Sequence, residues 1–483
     1  MKSKVRIIFL FLLLYMLSGC ESTKQNEIVW YIRDPAYYGI DETQYQPYEK
    51  LNSKRFDLFN QRLKELNIDA TVTFKYYKNT NEENMYNDVQ TYLKEDLRYQ
   101  YQRVDRLIKK DPQADLVEFS FVEYQAFEPL DKYYPSNHKI YEVLPSKLLD
   151  ANKVEGILYQ LPKGNVSIRQ TTYYFNEQFL KDCNLEIDEA ISNKTIEEII
   201  EMLIPYFEQN EKLSDSYYLT SFQDINPYFE YYSSMNPMSN DYGLCFDLKQ
   251  HKVIHILESE EYLNIIKTCK KICNNNLDGH DYISNQQLLC AFYVNTIPTI
   301  KQLSSQEINT GYIDYGVDKS VLSYSLGNGV LKTSNDKALA AEVLAATMYD
   351  ETLTNLMIYG VENEDYILDD GVVKSNQFVS SNGSFSQIGN NLIAYPNQME
   401  VKNKKDITFS MIEKLKVNPY IPYELNQDDL DNLIEIESLL YAFDLDQELT
   451  LKQQIDGIKA KMKEYNVDEL KQTLQKQWDE RRK

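Results

Sequence analysis

Histidine is scarce (4 of 483 residues) and tryptophan scarcer (2), and the 51 basic side chains are outnumbered by 74 acidic ones. Each shortage excludes something. A net charge of −23 repels nucleic acid and anionic headgroups, and no Lys/Arg patch interrupts that field, so no nucleic-acid partner is expected. His251 and His255 are the nearest histidine pair, but their segment CFDLKQHKVIHI has strand and turn character. Four residues along a strand span about 13 Å, too far for two imidazoles to share a metal. No metal site and no cofactor are expected. HExxH and GxSxG are missing, and Gly327-Asn328-Gly329 lacks the lysine of a phosphate loop. The many acids do supply carboxylate pairs of the kind glycoside hydrolysis uses. Asp369-Asp370 and the stretch Glu362–Asp365 are examples, and they read first as solvated loop acids. Beyond the N-terminus no run approaches the roughly 20 apolar residues that a spanning helix needs. There is no internal repeat and no low-complexity linker.

What is present begins with a short basic head, Lys2, Lys4 and Arg6, followed by an unbroken apolar run from Ile7 to Leu17. That run suits the core of a signal peptide and is too short to cross a bilayer as a mature helix. The next residues, Leu17-Ser18-Gly19-Cys20, resemble the bacterial lipobox. The resemblance implies cleavage before Cys20, a diacylglycerol on its thiol, and a chain held on the outer face of a cytoplasmic membrane. At about 0.8 kcal/mol per buried CH₂, two or three acyl chains make a lasting anchor. The alternative is an ordinary signal peptide beside a chance cysteine. Residues 1–19 are then the leader, and 20–26, with the polar Glu21–Asn26, a lipidated tether.

With Cys20 assigned to lipid, Cys183, Cys245, Cys269, Cys273 and Cys290 are an odd set without paired spacing. Cys269 and Cys273 are four apart on an expected helix, where a disulfide is awkward, so all five are read as thiols. Tyrosine is the compositional outlier at 40 residues. Most of this reflects compositional bias, and a minority of the tyrosines is expected to line a site, where a phenol both stacks and hydrogen-bonds.

Along the chain, Glu27–Ile32 reads as an apolar strand, Leu51–Leu66 as a helix and Ala70–Tyr76 as an alternating strand. A polar helical stretch, Glu82–Lys110, precedes the strand Ala114–Phe119. Strands alternating with helices imply parallel pairing in an α/β layer. Ligands of such sheets gather beyond the carboxyl ends of the strands, here around Tyr31–Asp34 and Ser120–Tyr124. Gly156–Pro162 and Thr172–Asn176 are short extended pieces, and Thr195-Ile196-Glu197-Glu198 is a capping box opening a helix through Phe207. Residues 243–257 suggest a hairpin feeding the helix Ser259–Cys273. Ala338–Met348 is an alanine-rich helix, and from Asp406 the chain is mainly helical, ending in Val467–Arg481.

This order of motifs resembles the extracellular solute-binding proteins of ABC importers, the sugar-binding group above all. The resemblance runs through Pro129-Leu130-Asp131, Glu155-Gly156-Ile157-Leu158-Tyr159 with Leu161-Pro162, and Tyr173-Tyr174-Phe175-Asn176-Glu177. It continues in Thr333–Asp350, Leu356–Leu368 and the helical tail through Leu474–Trp478, like the lipoprotein subgroup with an extended C-terminus. It implies an α/β, two-lobed periplasmic-binding-protein-like fold of type II, with crossing strands as hinge and a helical C-terminal extension. One lobe would take residues 27–165 plus 312–350 and the other 166–311 plus 351–483. Asn226-Pro227-Tyr228-Phe229-Glu230-Tyr231 resembles the EPYFTW segment of maltose-binding proteins. That likeness implies that Tyr228 stacks on a sugar ring, Asn226 bonds hydroxyls and Tyr231 extends the platform. Asn226 stands where that segment has a carboxylate, which points to a different sugar or another ligand. The candidate ligand-binding residues are thus Trp30, Tyr31, Arg33, Phe119, Glu123, Tyr124, Asn226, Tyr228 and Tyr231, although Trp30 also suits the core side of its strand. The implied partners are a carbohydrate, permease subunits and, through the lipid, the membrane. A surface-anchored glycan-degrading enzyme and a structural or sensory lipoprotein are the alternatives.

Overall fold

The computed structural model describes residues 26–33, 48–77, 89–120, 123–163, 168–176, 181, 184–185, 194, 196–209, 217–218, 232–234, 243–247, 250–274, 287–288, 290–295, 310–314, 321–322, 326–375, 388–398, 400–417, 423–439 and 450–481. The expected leader, Cys20 and the expected tether up to residue 25 lie outside them, as does Thr195 of the expected capping box.

The apolar run after Asn26 forms β1 (Glu27–Arg33). Ile28, Trp30 and Ile32 enter one apolar cluster and Val29 and Tyr31 another, so the strand is buried on both faces, as a central parallel strand must be. The periodic segment around Phe59 and Leu63 forms α1 (Tyr48–Glu65) and leads into β2 (Thr71–Tyr77). Helix α2 (Val89–Lys110) leads into β3 (Leu116–Glu118). β2 and β3 both pair in parallel with β1, as the strand–helix alternation predicts. The short β4 (Leu161–Pro162) ends this part of the chain.

The chain then leaves for a second sheet whose centre is β5 (Ile168–Asn176). Beyond helix α3 (Ile196–Gln209), strands β6 (Tyr232–Ser234), β7 (Leu244–Asp247) and β8 (Lys252–His255) form a separate antiparallel sheet. Its β7–β8 hairpin leads to helix α4 (Glu260–Asn274), close to the sequence expectation. Strands β9 (Cys290–Asn295) and β10 (Thr310–Asp314) flank β5 on its two sides, and β11 (Val321–Leu322) pairs with the start of β5.

With β12 (Gly327–Val330) the chain re-enters the first sheet, antiparallel to β3 and β4, giving the order β2-β1-β3-β12-β4. Helices α5 (Lys337–Tyr349) and α6 (Glu351–Tyr359) follow, each capped by an aspartate, Asp336 accepting from the Leu339 amide and Asp350 from that of Leu353. Helix α7 (Lys404–Ile412) and strand β13 (Lys416–Val417), parallel to β11, return the chain to the second sheet. The tail is α8 (Gln427–Ser438), α9 (Leu451–Glu464) and α10 (Val467–Arg481).

The boundaries differ from the expected ones in two places. Residues 310–314 and 321–322 belong to the second sheet, so the first lobe resumes at Gly327 and not at 312. Leu353, Leu356, Met357, Ile388, Leu392, Ile412 and Leu415 join the first lobe's core, although sequence assigned everything after 350 to the second lobe. Asp350 is the physical reason. It ends α5, caps α6 and is held by Arg62 of α1 at 2.8 Å, which turns α6 back onto α1.

Candidate functional site

The carboxyl ends of β1, β2 and β3 share one edge of the first sheet with the start of β12, where the Phe119 amide donates to the Gly327 carbonyl at 2.9 Å. Trp30 has no exposed surface. Its ring stacks on Phe74 with centroids 5.8 Å apart, and its Nε1 donates to Asn328 Oδ1 at 3.1 Å. The two glycines around Asn328 serve that contact. A Cβ at 327 would overlap the Leu161 carbonyl, and one at 329 would stand 2.6 Å from the Phe127 ring and 2.7 Å from the Tyr159 carbonyl. Gly-Asn-Gly is therefore a strand squeezed between neighbours.

Phe119 is also fully buried, tilted against Phe127 with centroids 4.7 Å apart. Trp30 and Phe119 are thus core residues here and offer a ligand no surface. Tyr31 and Tyr124 are nearly as buried. The Tyr31 hydroxyl donates to Asp111 at 2.8 Å, and burial, reinforced by that carboxylate, raises its pKa well above the usual phenol range. Tyr124 sits in a 3-10 turn (Tyr124–Ala126), edge-on to Tyr159 at 5.6 Å. Arg33 closes β1 opposite Tyr77, and its side chain lies outside the described residues. Asn226, Tyr228 and Tyr231 lie outside them entirely.

Glu123 is the one candidate at this edge whose carboxylate has a defined task. It accepts from the backbone amides of Val104 and Asp105, both at 2.8 Å. These amides lie just past a break in α2, where Gln102 leaves helical geometry (φ −127°, ψ 16°). Burial pushes the Glu123 carboxyl up to about 7, against the pull of those two amides and of Arg103. Beside it, Arg103 Nη1 pairs with Glu118 at 2.5 Å, and its Nη2 donates to the carbonyls of Glu118 and Phe119 at 2.9 and 3.1 Å. Sequence reading missed this pair. A glutamate inside the buried strand Ala114–Phe119 was the available clue, since a buried charge requires a partner. The Tyr31, Glu123, Arg103 and Glu118 side chains are thus held in fixed hydrogen bonds that rigidify the strand ends.

No protein-family model matches the chain, and no curated protein matches it. Solved structures do. The N-glycan transport solute-binding protein of Streptococcus pneumoniae is 16% identical, with 95% of this chain and 99% of that chain covered and a TM-score of 0.59. Its complex with Man5GlcNAc covers 94% and 98% at 15% identity and a TM-score of 0.53. An extracellular solute-binding protein of Bifidobacterium longum subsp. infantis is 14% identical over 96% and 100%, with a TM-score of 0.53. The chain has the two-lobed α/β fold of extracellular solute-binding proteins. Within that class the Streptococcus pneumoniae neighbour is a solute-binding protein of N-glycan transport, solved also in complex with Man5GlcNAc.

Proposed function

We propose that this chain is a lipid-anchored, extracytoplasmic solute-binding protein that captures an oligosaccharide between its lobes and delivers it to the permease of an ABC importer. The observation that carries the reading is the two-lobed fold matched over nearly the whole chain, with one neighbour described as an N-glycan transport protein and solved with Man5GlcNAc. The chain passes between the lobes three times, after β4, after β11 and before β13, and crossings of this kind are compatible with a hinge. In this reading Asn226, Tyr228 and Tyr231 supply contacts to the sugar. Sugar rings stack there and polar groups fix their hydroxyls. Closure selected by the ligand then creates the surface that the permease reads. Cys20 carries the anchor.

Calorimetry with Man5GlcNAc and a panel of shorter glycans tests this. Wild type is expected to bind at least one of them and return it unchanged. Tyr228→Ala should weaken that binding roughly ten- to a hundredfold with little effect on melting without sugar. Equal affinity in both proteins removes Tyr228 from the site, and glycan cleavage would make the chain a degrading enzyme.

A further inference from the structure

The acidity of the chain conceals one local reversal. Helix α9 holds Lys452, Lys459, Lys461 and Lys463 against Asp456 and Glu464. A capping box sets its first turn. The Thr450 hydroxyl accepts from the Gln453 amide at 3.3 Å, and the Gln453 side-chain oxygen accepts from the Thr450 amide at 2.9 Å. The helix then buries Gln454, Ile458 and Met462. Steps of seven and four residues fall close to one line along an α-helix. Lys452, Lys459 and Lys463 therefore form a single row about 16 Å long, clear of the buried stripe.

Lys452 and Lys463 are exposed and Lys459 is partly so. None of the three enters an ion pair among the described residues. Many lysines elsewhere on this surface are tied to acids, Lys54 to Glu364, Lys402 to Asp370 and, on the neighbouring α10, Lys471 to Glu258. Asp456, the one acid on the line of the row, is exposed and pairs with none of its lysines. Glu464 stands about 100° round the helix from Lys463. Distance decides which charge a partner meets. At physiological salt charges farther off than about 8 Å are largely screened, and an α-helix with its side chains is about 10–12 Å across. A flat surface laid on the row therefore meets lysines, with the acidic body screened behind the thickness of α9. The net charge of −23 governs approach from afar, and the row governs contact.

We propose that the lysine row of α9 is a membrane-facing surface that rests on anionic phosphate headgroups and sets how the body stands above the bilayer. Lysines are point charges on flexible stems, suited to a fluid array of phosphates. No arginine fork and no aromatic side chain shares the line of the row, and lysine is depleted in protein–protein interfaces, so a protein partner fits this face less well. Each lysine near an anionic bilayer shifts partition roughly fivefold, and three together shift it on the order of a hundredfold. That is modest for capture from solution and ample for orienting a chain already tethered. The inference takes from the reading above only that a membrane is within reach.

Vesicle flotation at millimolar lipid and about 0.15 M salt tests this. The protein is the chain from residue 20 carrying Cys20→Ala, which keeps every described residue and no lipid. It should float with vesicles of equal parts phosphatidylglycerol and phosphatidylcholine, and not with phosphatidylcholine alone. Adding Lys452→Glu/Lys459→Glu/Lys463→Glu should lower the partition coefficient on the order of a hundredfold or more. The control Lys64→Glu/Lys110→Glu/Lys267→Glu makes the same change of charge at exposed lysines elsewhere and should alter it little. Should the reversed row melt early, Lys452→Gln/Lys459→Gln/Lys463→Gln applies the same criteria. Absence of flotation with the unreversed row overturns the proposal, as does equal flotation of the row variant or an equal loss in the control. Glycan affinity and lipidation of Cys20 enter none of these outcomes, so the capture and anchor readings stand or fall separately.

Discussion

His255 closes β8 with no exposed surface. Its Nδ1 accepts from the Leu257 amide at 3.1 Å, so the proton sits on Nε2, which finds no hydrogen-bond partner among the described residues. Burial, with Lys471 and Lys459 nearby, pushes the imidazole down to about 3. Its unfolded value is near 6.5, so the unfolded chain takes the proton first as pH falls. The stability tied to neutral His255 is complete above pH 6.5 and declines toward pH 3, at up to about 1.4 kcal/mol per pH unit. His255→Asn keeps an acceptor at the cap and removes the titration. Urea midpoints measured from pH 7 to pH 4 should fall less steeply in the variant, and parallel curves would show that His255 does not titrate in this window.

Glu123 shows how a single carboxylate shapes an element. By accepting from the amides of Val104 and Asp105 it restarts α2 after the break at Gln102. Glu123→Ala should speed hydrogen exchange at those two amides and cost about 0.5–2 kcal/mol, as other lost caps do. The pH dependence has the opposite sign to that of His255. A carboxyl raised to about 7 in the fold makes the folded chain the better proton acceptor. Its contribution therefore improves as pH falls from about 7 to 4.5, and the variant should lack that gain. Much at this scale was legible in the sequence. The alternation that marks β1, α1, β2 and β3 is local and strong, and the last helix has the expected bounds, Val467–Arg481. The rest depended on partners far along the chain. Trp30 looked like a site residue because Asn328, 298 positions away, gives its indole a buried acceptor that no local pattern reveals. The lobe boundary was misplaced after 350 because a cap at Asp350 looks the same whether the next helix crosses over or turns back.

At the scale of the molecule, the proposed anchor predicts that Cys20→Ala moves the chain from the membrane fraction to the soluble one, or leaves it uncleaved. Retention of a cleaved Cys20→Ala chain through a carbonate wash would remove the lipid from the account. The threading of the two lobes has a consequence for assembly in time. Strand β12 sits between β3 and β4, so the first sheet is incomplete until the chain through Val330 is available, and its core until Leu415 is. The second sheet likewise waits for Lys416 and Val417 to pair with β11. Contacts of such long sequence separation are late and slow to form. A nascent or translocating chain can pair β1 with β2 and β3 early, but it would hold the outer edge of β3 and β4 unpaired until Val330 emerges, and neither lobe can serve as a finished nucleus for the other. The discontinuity that lets two bodies share a hinge also makes their folding a single event, completed only near the end of the polypeptide.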